Sequence, residues 1–199
     1  MAKTRVIRKQ TYKRATWKNG LGYTDEIAIF PEGSDLRKGN FLWRLSSARI
    51  ENTSPFSTFP EHDRVLVVLK GNGVHLTHTF EEENEDQVEV LPLQPYEFPG
   101  DIPSRCELID GPITDLSVFV RKAEAEAIVE VLEIADGETY SWQPAGRWNF
   151  AFAIEGDFTD FSQGDTLEAI LDGPLSVNET IRISSKDGDA KLLTISLQA

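Results

Sequence analysis

A chain of 199 residues with 40% apolar side chains can build one domain or two small ones around a substantial core. Its single cysteine, Cys106, excludes an internal disulfide framework and fits a reducing compartment. The formal charge of −13 is uneven, +7 over residues 1–50 and −20 over residues 51–199, so most of the surface repels nucleic acid and the basic start is expected to pair with the acidic remainder.

The opening stretch, MAKTRVIRKQTYKRAT, is basic but lacks the apolar core of a signal peptide. No apolar run approaches the roughly 20 residues that span a bilayer, so the expected location is the cytoplasm and no membrane partner is expected. WKNGLGYTDEIA (17–28) follows, with a tight turn expected at Asn19-Gly20 and Gly22. A glycine-rich turn can cradle phosphate, but neither a Lys-Ser/Thr pair nor a helix follows, which argues against a nucleotide loop. FLWRLSSARI (41–50) reads as a strand. DRVLVVLKGNGVHLTHTF (63–80) reads as two strands joined as a hairpin at Gly71-Asn72-Gly73. EEENED (81–86) reads as a solvated hairpin tip.

Further strands are expected at 87–93, 106–109, 115–122, 149–156, 165–171, 180–185 and 191–197, with glycine and proline turns between them. KAEAEAIVEVLEIA (122–135), rich in Ala and Glu, reads as a helical connection between two halves. Both halves place an apolar strand, a glycine turn, a further turn and a closing apolar strand in the same order, a weak internal repeat. The expectation is an all-β chain of two β-barrels, residues 1–122 and 123–199, with the better pocket in the first.

The strand order with GNG and FPGD turns resembles the cupin barrel, in which many members hold a metal through a His-x-His pair, a carboxylate and a third histidine. This chain has three histidines, His62, His75 and His78. His75 and His78, three apart on an expected strand, fall on opposite faces, and no histidine follows residue 78. Neither a metal nor another cofactor is therefore expected.

Read together, WKNGLGYTDEIA, FLWRLSSARI, SPFSTFPEHDR (54–64), LKGNG (69–73), FPGD (98–101), CELIDGP (106–112) and TDLSVFVRK (114–122) resemble the HutD/Ves family of bacterial two-cupin proteins. The resemblance covers about residues 15–122 and implies a bicupin fold with a ligand pocket. For the HutD branch, encoded with histidine-degradation enzymes, it implies urocanate or a related catabolite as ligand. Two positions depart from the family pattern. Glu61 stands where the family commonly has glycine before x-Asp-Arg, and Ser117 where it commonly has asparagine. The first implies backbone strain or a different turn, the second a different specificity.

Arg64 leads the site residues, because a guanidinium is always charged and matches a carboxylate with two parallel hydrogen bonds. Alternation sends Asp63 and Arg64 to opposite faces, so Asp63 can hold the turn while Arg64 points inward. The competing reading is a salt bridge from Arg64 to Asp63 or another acid that braces the turn. Arg44 is the second arginine, opposite Trp43 and Leu45 in alternation, on a face that is either lumen or solvent. Ser46 shares that face. Ser57, Phe56 and Phe59 flank the pocket, with turn capping and ordinary core as their alternatives. Glu26, on one face with Thr24, reads as a partner for an arginine or as a general base. Cys106 reads as a buried, inert thiol.

The chain is thus read as a bicupin that holds a small carboxylate metabolite, urocanate- or formylglutamate-like, with a regulatory or protective role in amino-acid catabolism. The alternatives are a metal-independent isomerase or hydrolase using Glu26 or His62, and a structural protein with a vestigial pocket. The sequence is compatible with a homodimer.

Overall fold

The computed structural model describes residues 2–16, 22–81, 84–171 and 179–199. Its strands, in chain order, are β1 (Lys3–Ile7), β2 (Lys13–Thr16), β3 (Gly22–Phe30), β4 (Trp43–Ile50), β5 (Ser54–Pro55) and β6 (His62–Lys70). Then come β7 (Val74–Glu81), β8 (Asn84–Val90), β9 (Tyr96–Pro99), β10 (Ser104–Leu108) and β11 (Ile113–Arg121). The last are β12 (Glu126–Ile134), β13 (Thr139–Trp142), β14 (Trp148–Phe158), β15 (Thr166–Ile170) and β16 (Ile181–Gln198). A single 3-10 turn, Lys9–Thr11, is the one helical element among the described residues.

The chain divides into two compact units, one of Lys13–Ala125, the other of Met1–Tyr12 with Glu126–Ala199. The first twelve residues, which the sequence reading placed with the first module, therefore belong to the second. The reason is pairing: β1 runs antiparallel to β15, with Lys3 opposite Ile170 and Ile7 opposite Thr166. Arg5 donates to Glu168, and Arg8 donates to Asp165 at 2.8 Å, so the basic start does meet acidic partners.

In the unit of residues 13–125, one sheet runs β2-β3-β4-β11-β6-β9 and the other β5-β10-β7-β8. Apolar residues from one face of each sheet meet between them. Ile50, Leu66, Val68, Phe98 and Ile113 come from the longer sheet, and Val74, Leu76, Val90 and Cys106 from the shorter. In the other unit the path is β1-β15-β14-β16-β12, with β13 on β16, around Trp142, Phe158, Phe161, Leu167, Ile183 and Leu192.

Two expectations are corrected here. The segment 122–135 is not helical, since its residues 126–134 form β12, paired with β16 from Glu126↔Gln198 to Ile134↔Ala190. Ala127, Val129 and Val131 are half-buried while Glu126, Ile128 and Glu130 are exposed, a period of two that pairing favours over the helix propensity of Ala and Glu. Nor does the Gly71-Asn72-Gly73 turn close a hairpin. β6 pairs with β11 and β9, whereas β7 pairs with β10 and β8, so the turn carries the chain from one sheet to the other. Both glycines have positive φ, 102° and 111°, and a Cβ on Gly73 would lie 2.6 Å from the Val90 carbonyl oxygen. The turn expected at Asn19-Gly20 lies outside the described residues.

Candidate functional site: an arginine-lined cavity

Strand alternation builds the site. Along β4, Arg44, Ser46, Ala48 and Ile50 share one face, and Trp43 and Leu45 take the other. Across β11 the partners are Arg44↔Phe119, Ser46↔Ser117, Ala48↔Asp115 and Ile50↔Ile113. Phe119 in turn lies opposite Arg64 on β6, and Arg64 opposite Phe98 on β9. One face of the longer sheet therefore runs from apolar core at Ile50 and Ile113 to a polar patch at Arg44, Arg64 and Ser117.

That patch lines a cavity of about 610 Å³, together with Thr24, Leu36, Arg37, Phe56, Ser57, Phe59, Asp115 and Phe119. Arg44, Arg64, Ser46, Ser117 and Asp115 are all buried. Arg64 donates from Nε and Nη2 to Ser117 Oγ, at 3.2 and 2.8 Å, and its Nη2 lies 3.4 Å from Asp115 Oδ2. The Phe56 ring lies 4.0 Å from its Cζ, and Phe119 and Phe98 stand at 5.1 and 5.6 Å, so aromatic faces enclose the cation. Asp115 Oδ1 accepts from the Ala48 amide at 2.9 Å. Arg44 donates from Nε to Glu26 Oε2 and from Nη1 to Ser46 Oγ, both at 2.9 Å.

Burial pushes the pKa of Arg64 down, against the pull of Asp115, and pushes that of Asp115 up, against the pull of Arg64. Among the described residues, Arg64 Nη1 and Arg44 Nη2 make no hydrogen bond, and neither is a sealed buried atom. Each arginine thus has one terminal nitrogen without a hydrogen bond among the described residues, on a side chain that lines the cavity.

All six residues chosen from the sequence fall at this site. Arg64, Arg44, Ser46, Phe59 and Ser57 line the cavity, and Glu26 holds Arg44. Arg44 faces the lumen, not solvent. Of the alternative ion pairs, the one between Arg64 and Asp63 is not observed, whereas one with another acid, Asp115, is present at 3.4 Å. Asp63 faces Lys122 at 3.7 Å, and Lys122 also binds Asp101 at 2.9 Å. Sequence reasoning missed Asp115 and Arg37. The signal for Asp115 was available in DLSVF, where Asp115, Ser117 and Phe119 alternate with Leu116 and Val118.

The histidines lie elsewhere. His62 does not line the cavity; its ring nitrogens meet the carbonyl oxygens of Pro60 and Phe41 at 2.8 and 3.0 Å. His78 is buried between Ser104 Oγ at 2.7 Å and the Tyr96 hydroxyl at 3.2 Å, while His75 points outward near Glu89. Among the described residues, no three His, Cys, Asp or Glu side chains gather as a metal-ligand group. Cys106 is sealed in the core, where burial pushes its thiol pKa up to about 12. Glu61, at the turn before β6, has φ of 62°, the left-handed conformation glycine adopts without strain.

The architecture is that of an all-β cupin-fold protein, with an arginine-lined cavity between the two sheets of one unit. The family model described as HutD matches residues 9–196, and the chain belongs to the HutD family. It is 36% identical over 120 residues to an uncharacterized 21.2 kDa protein in the hutC 3' region of Pseudomonas putida, an alignment covering 60% of this chain and 59% of that protein. The chain thus spans about three fifths of the length of that curated relative. The protein Ves of Cronobacter sakazakii is a further relative, 32% identical over 124 residues that cover 59% of this chain and 60% of that one.

Among solved structures, a conserved protein of unknown function from Pseudomonas aeruginosa PAO1 superposes with a TM-score of 0.83 at 26% identity, covering 99% of this chain and 100% of that one. HutD from Pseudomonas fluorescens SBW25, determined in a formate condition, superposes at 0.73 with 30% identity and the same coverage. An Escherichia coli pirin and a Bacillus subtilis oxalate decarboxylase, under 25% identical, share the fold alone. No helix among the described residues is long and apolar enough to cross a membrane.

Proposed function

We propose that the cavity of residues 13–125 binds a small metabolite through its carboxylate, and that the protein serves a regulatory or protective role in the breakdown of histidine or another amino acid. The observation that carries this reading is the pair of buried arginines on one cavity wall, each with one terminal nitrogen free of partners among the described residues. A carboxylate offers the planar, two-oxygen acceptor that such nitrogens fit, and the Phe56, Phe59 and Phe119 rings supply an apolar wall for the rest of the molecule. Charge-assisted hydrogen bonds contribute about 1.5–3 kcal/mol each, so two of them suffice for selective binding. Membership of the HutD family and a relative in the hutC 3' region support the link to histidine utilisation.

The test is a thermal-shift series with urocanate, N-formylglutamate, glutamate and formate, run on the wild type and on Arg64→Gln combined with Asp115→Asn. The double variant removes both buried charges together and so avoids stranding either one. Binding to the folded state raises the melting temperature by mass action. A carboxylate that stabilises the wild type and leaves the double variant unmoved supports the reading. Equal shifts in both, or none in either, refute it.

A further inference from the structure

Among the described residues Asp115 is the one acid in direct contact with Arg64, and its two oxygens are held unequally. Oδ1 accepts a well-formed bond from the Ala48 amide at 2.9 Å. Oδ2 has two long contacts, 3.4 Å to Arg64 Nη2 and 3.3 Å to Ser117 Oγ, whereas a charge-assisted bond is normally about 2.7–2.9 Å. Ser117, not Asp115, is the closer partner of the guanidinium, at 2.8 Å. Asp115 also lines the cavity. Its Oδ2 is therefore a weakly engaged acceptor beside the arginine that a ligand carboxylate would approach.

The charges around it already balance. Arg64 on β6 opposes Asp115, and Arg44 on β4 opposes Glu26 on β3 at 2.9 Å. Cys106 on β10 is a neutral thiol, and Ser117 beside Asp115 on β11 carries no charge. Arg37, at the cavity wall, is exposed and screened by water. A carboxylate entering this set leaves one uncompensated negative charge in a buried space. Two carboxylates beside one guanidinium resist joint ionisation, and a single proton shared between them removes the excess. Burial already disfavours the ionised form of Asp115, which makes it the group to take that proton.

We propose that Asp115 is a ligand-contacting, specificity-determining residue: it takes up one proton from solvent as a carboxylate binds, and donates it in a hydrogen bond to the ligand beside Arg64. This rests on the reading of the cavity as a carboxylate site. One proton and one ligand anion enter together, no covalent bond changes, and the charge of the cavity stays constant. The site then selects weak-acid anions, because a carboxylate accepts a shared proton well and a sulfonate of similar size accepts it poorly.

Calorimetric titration of the intact protein with formate, in imidazole and in Tris buffer, tests this, because the difference in apparent heat reports the protons taken up. The wild type should take up roughly one proton per formate and bind about tenfold more weakly for each unit of pH above the titration of free Asp115. Methanesulfonate should bind at least about tenfold more weakly than formate at about pH 6. Asp115→Asn should bind formate without proton uptake and with the same affinity at about pH 6 and about pH 8. Should that variant not fold, the wild-type proton count decides alone. Saturable formate binding to the wild type without proton uptake, and equal at the two pH values, overturns this inference and leaves the carboxylate site standing. Absence of formate binding at both pH values overturns this inference, and the carboxylate site itself falls only if none of the four carboxylates of the thermal-shift series binds.

Discussion

Arg64 and Asp115, 51 positions apart in the chain, meet 3.4 Å apart on adjacent strands, both buried at the wall of the cavity. Little solvent is therefore at hand to replace either partner. Removing one partner of such a pair costs about 3–5 kcal/mol, because the other is left buried and unpaired. Arg64→Ala and Asp115→Ala should each lower the unfolding free energy, measured by urea titration, by an amount of that order. Arg64→Ala and Asp115→Ala together should cost clearly less than the sum of the two single changes. Additive losses in the cycle would mean that the two side chains do not depend on each other.

Glu61 occupies the left-handed region with φ of 62°, and its carbonyl accepts from the Lys122 amide at 2.9 Å, which fixes it there. That conformation costs a non-glycine residue about 1–2 kcal/mol, and glycine returns part of the gain as chain entropy in the unfolded state. Glu61→Gly should therefore raise unfolding stability by about 0.5–1 kcal/mol. A fall in melting temperature would show that the Glu61 side chain does more for the turn than its backbone strain takes away.

His78 is buried among Phe80, Tyr96 and Phe98, and burial lowers its pKa below the ordinary 6.5, with Asp86 opposing the shift. The folded protein therefore binds this proton less readily than the unfolded chain. In the window just below 6.5 the unfolded state holds more protons, so stability falls as pH falls, and the contribution is fully present only above that value. His78→Gln should flatten the decline in unfolding free energy between about pH 7 and about pH 5. An unchanged slope would assign the decline to other groups.

Cys106, wholly buried with its thiol pKa pushed up to about 12, should ignore Ellman's reagent in the native state at about pH 8 and react stoichiometrically once the chain is unfolded in guanidinium. Rapid native labelling would contradict the packing around it.

The strands were legible because their side chains alternate and glycine or proline separates them. Which sheet each strand joins was not. Gly71-Asn72-Gly73 has the residues of a hairpin turn, and only the pairings of β6 with β11 and of β7 with β10 reveal a crossing between sheets. Segment 122–135 misled because Ala and Glu favour helices, while the edge of β16 that it covers is set by residues 190–198 far along the chain. Arg64, Arg44 and Ser46 could be found by local alternation, which needs only neighbours. Asp115 could not be tied to Arg64 in the same way, because their meeting is a matter of register between β11 and β6. Glu61 was visible as a break in a glycine pattern, and its positive φ agrees with that reading.

The pairing of Lys3 with Ile170 sets a timetable for assembly. Strand β1 leaves the ribosome 167 positions before its neighbour exists, whereas the strands of residues 13–125 pair with one another inside a contiguous stretch. At a synthesis rate of about 5–20 residues per second, β1 waits roughly ten seconds or more for β15. Until then Lys3 and Arg5 put positive charge on the unpaired segment, which disfavours its pairing with another chain, and Arg5 meets Glu168 once β15 is in place.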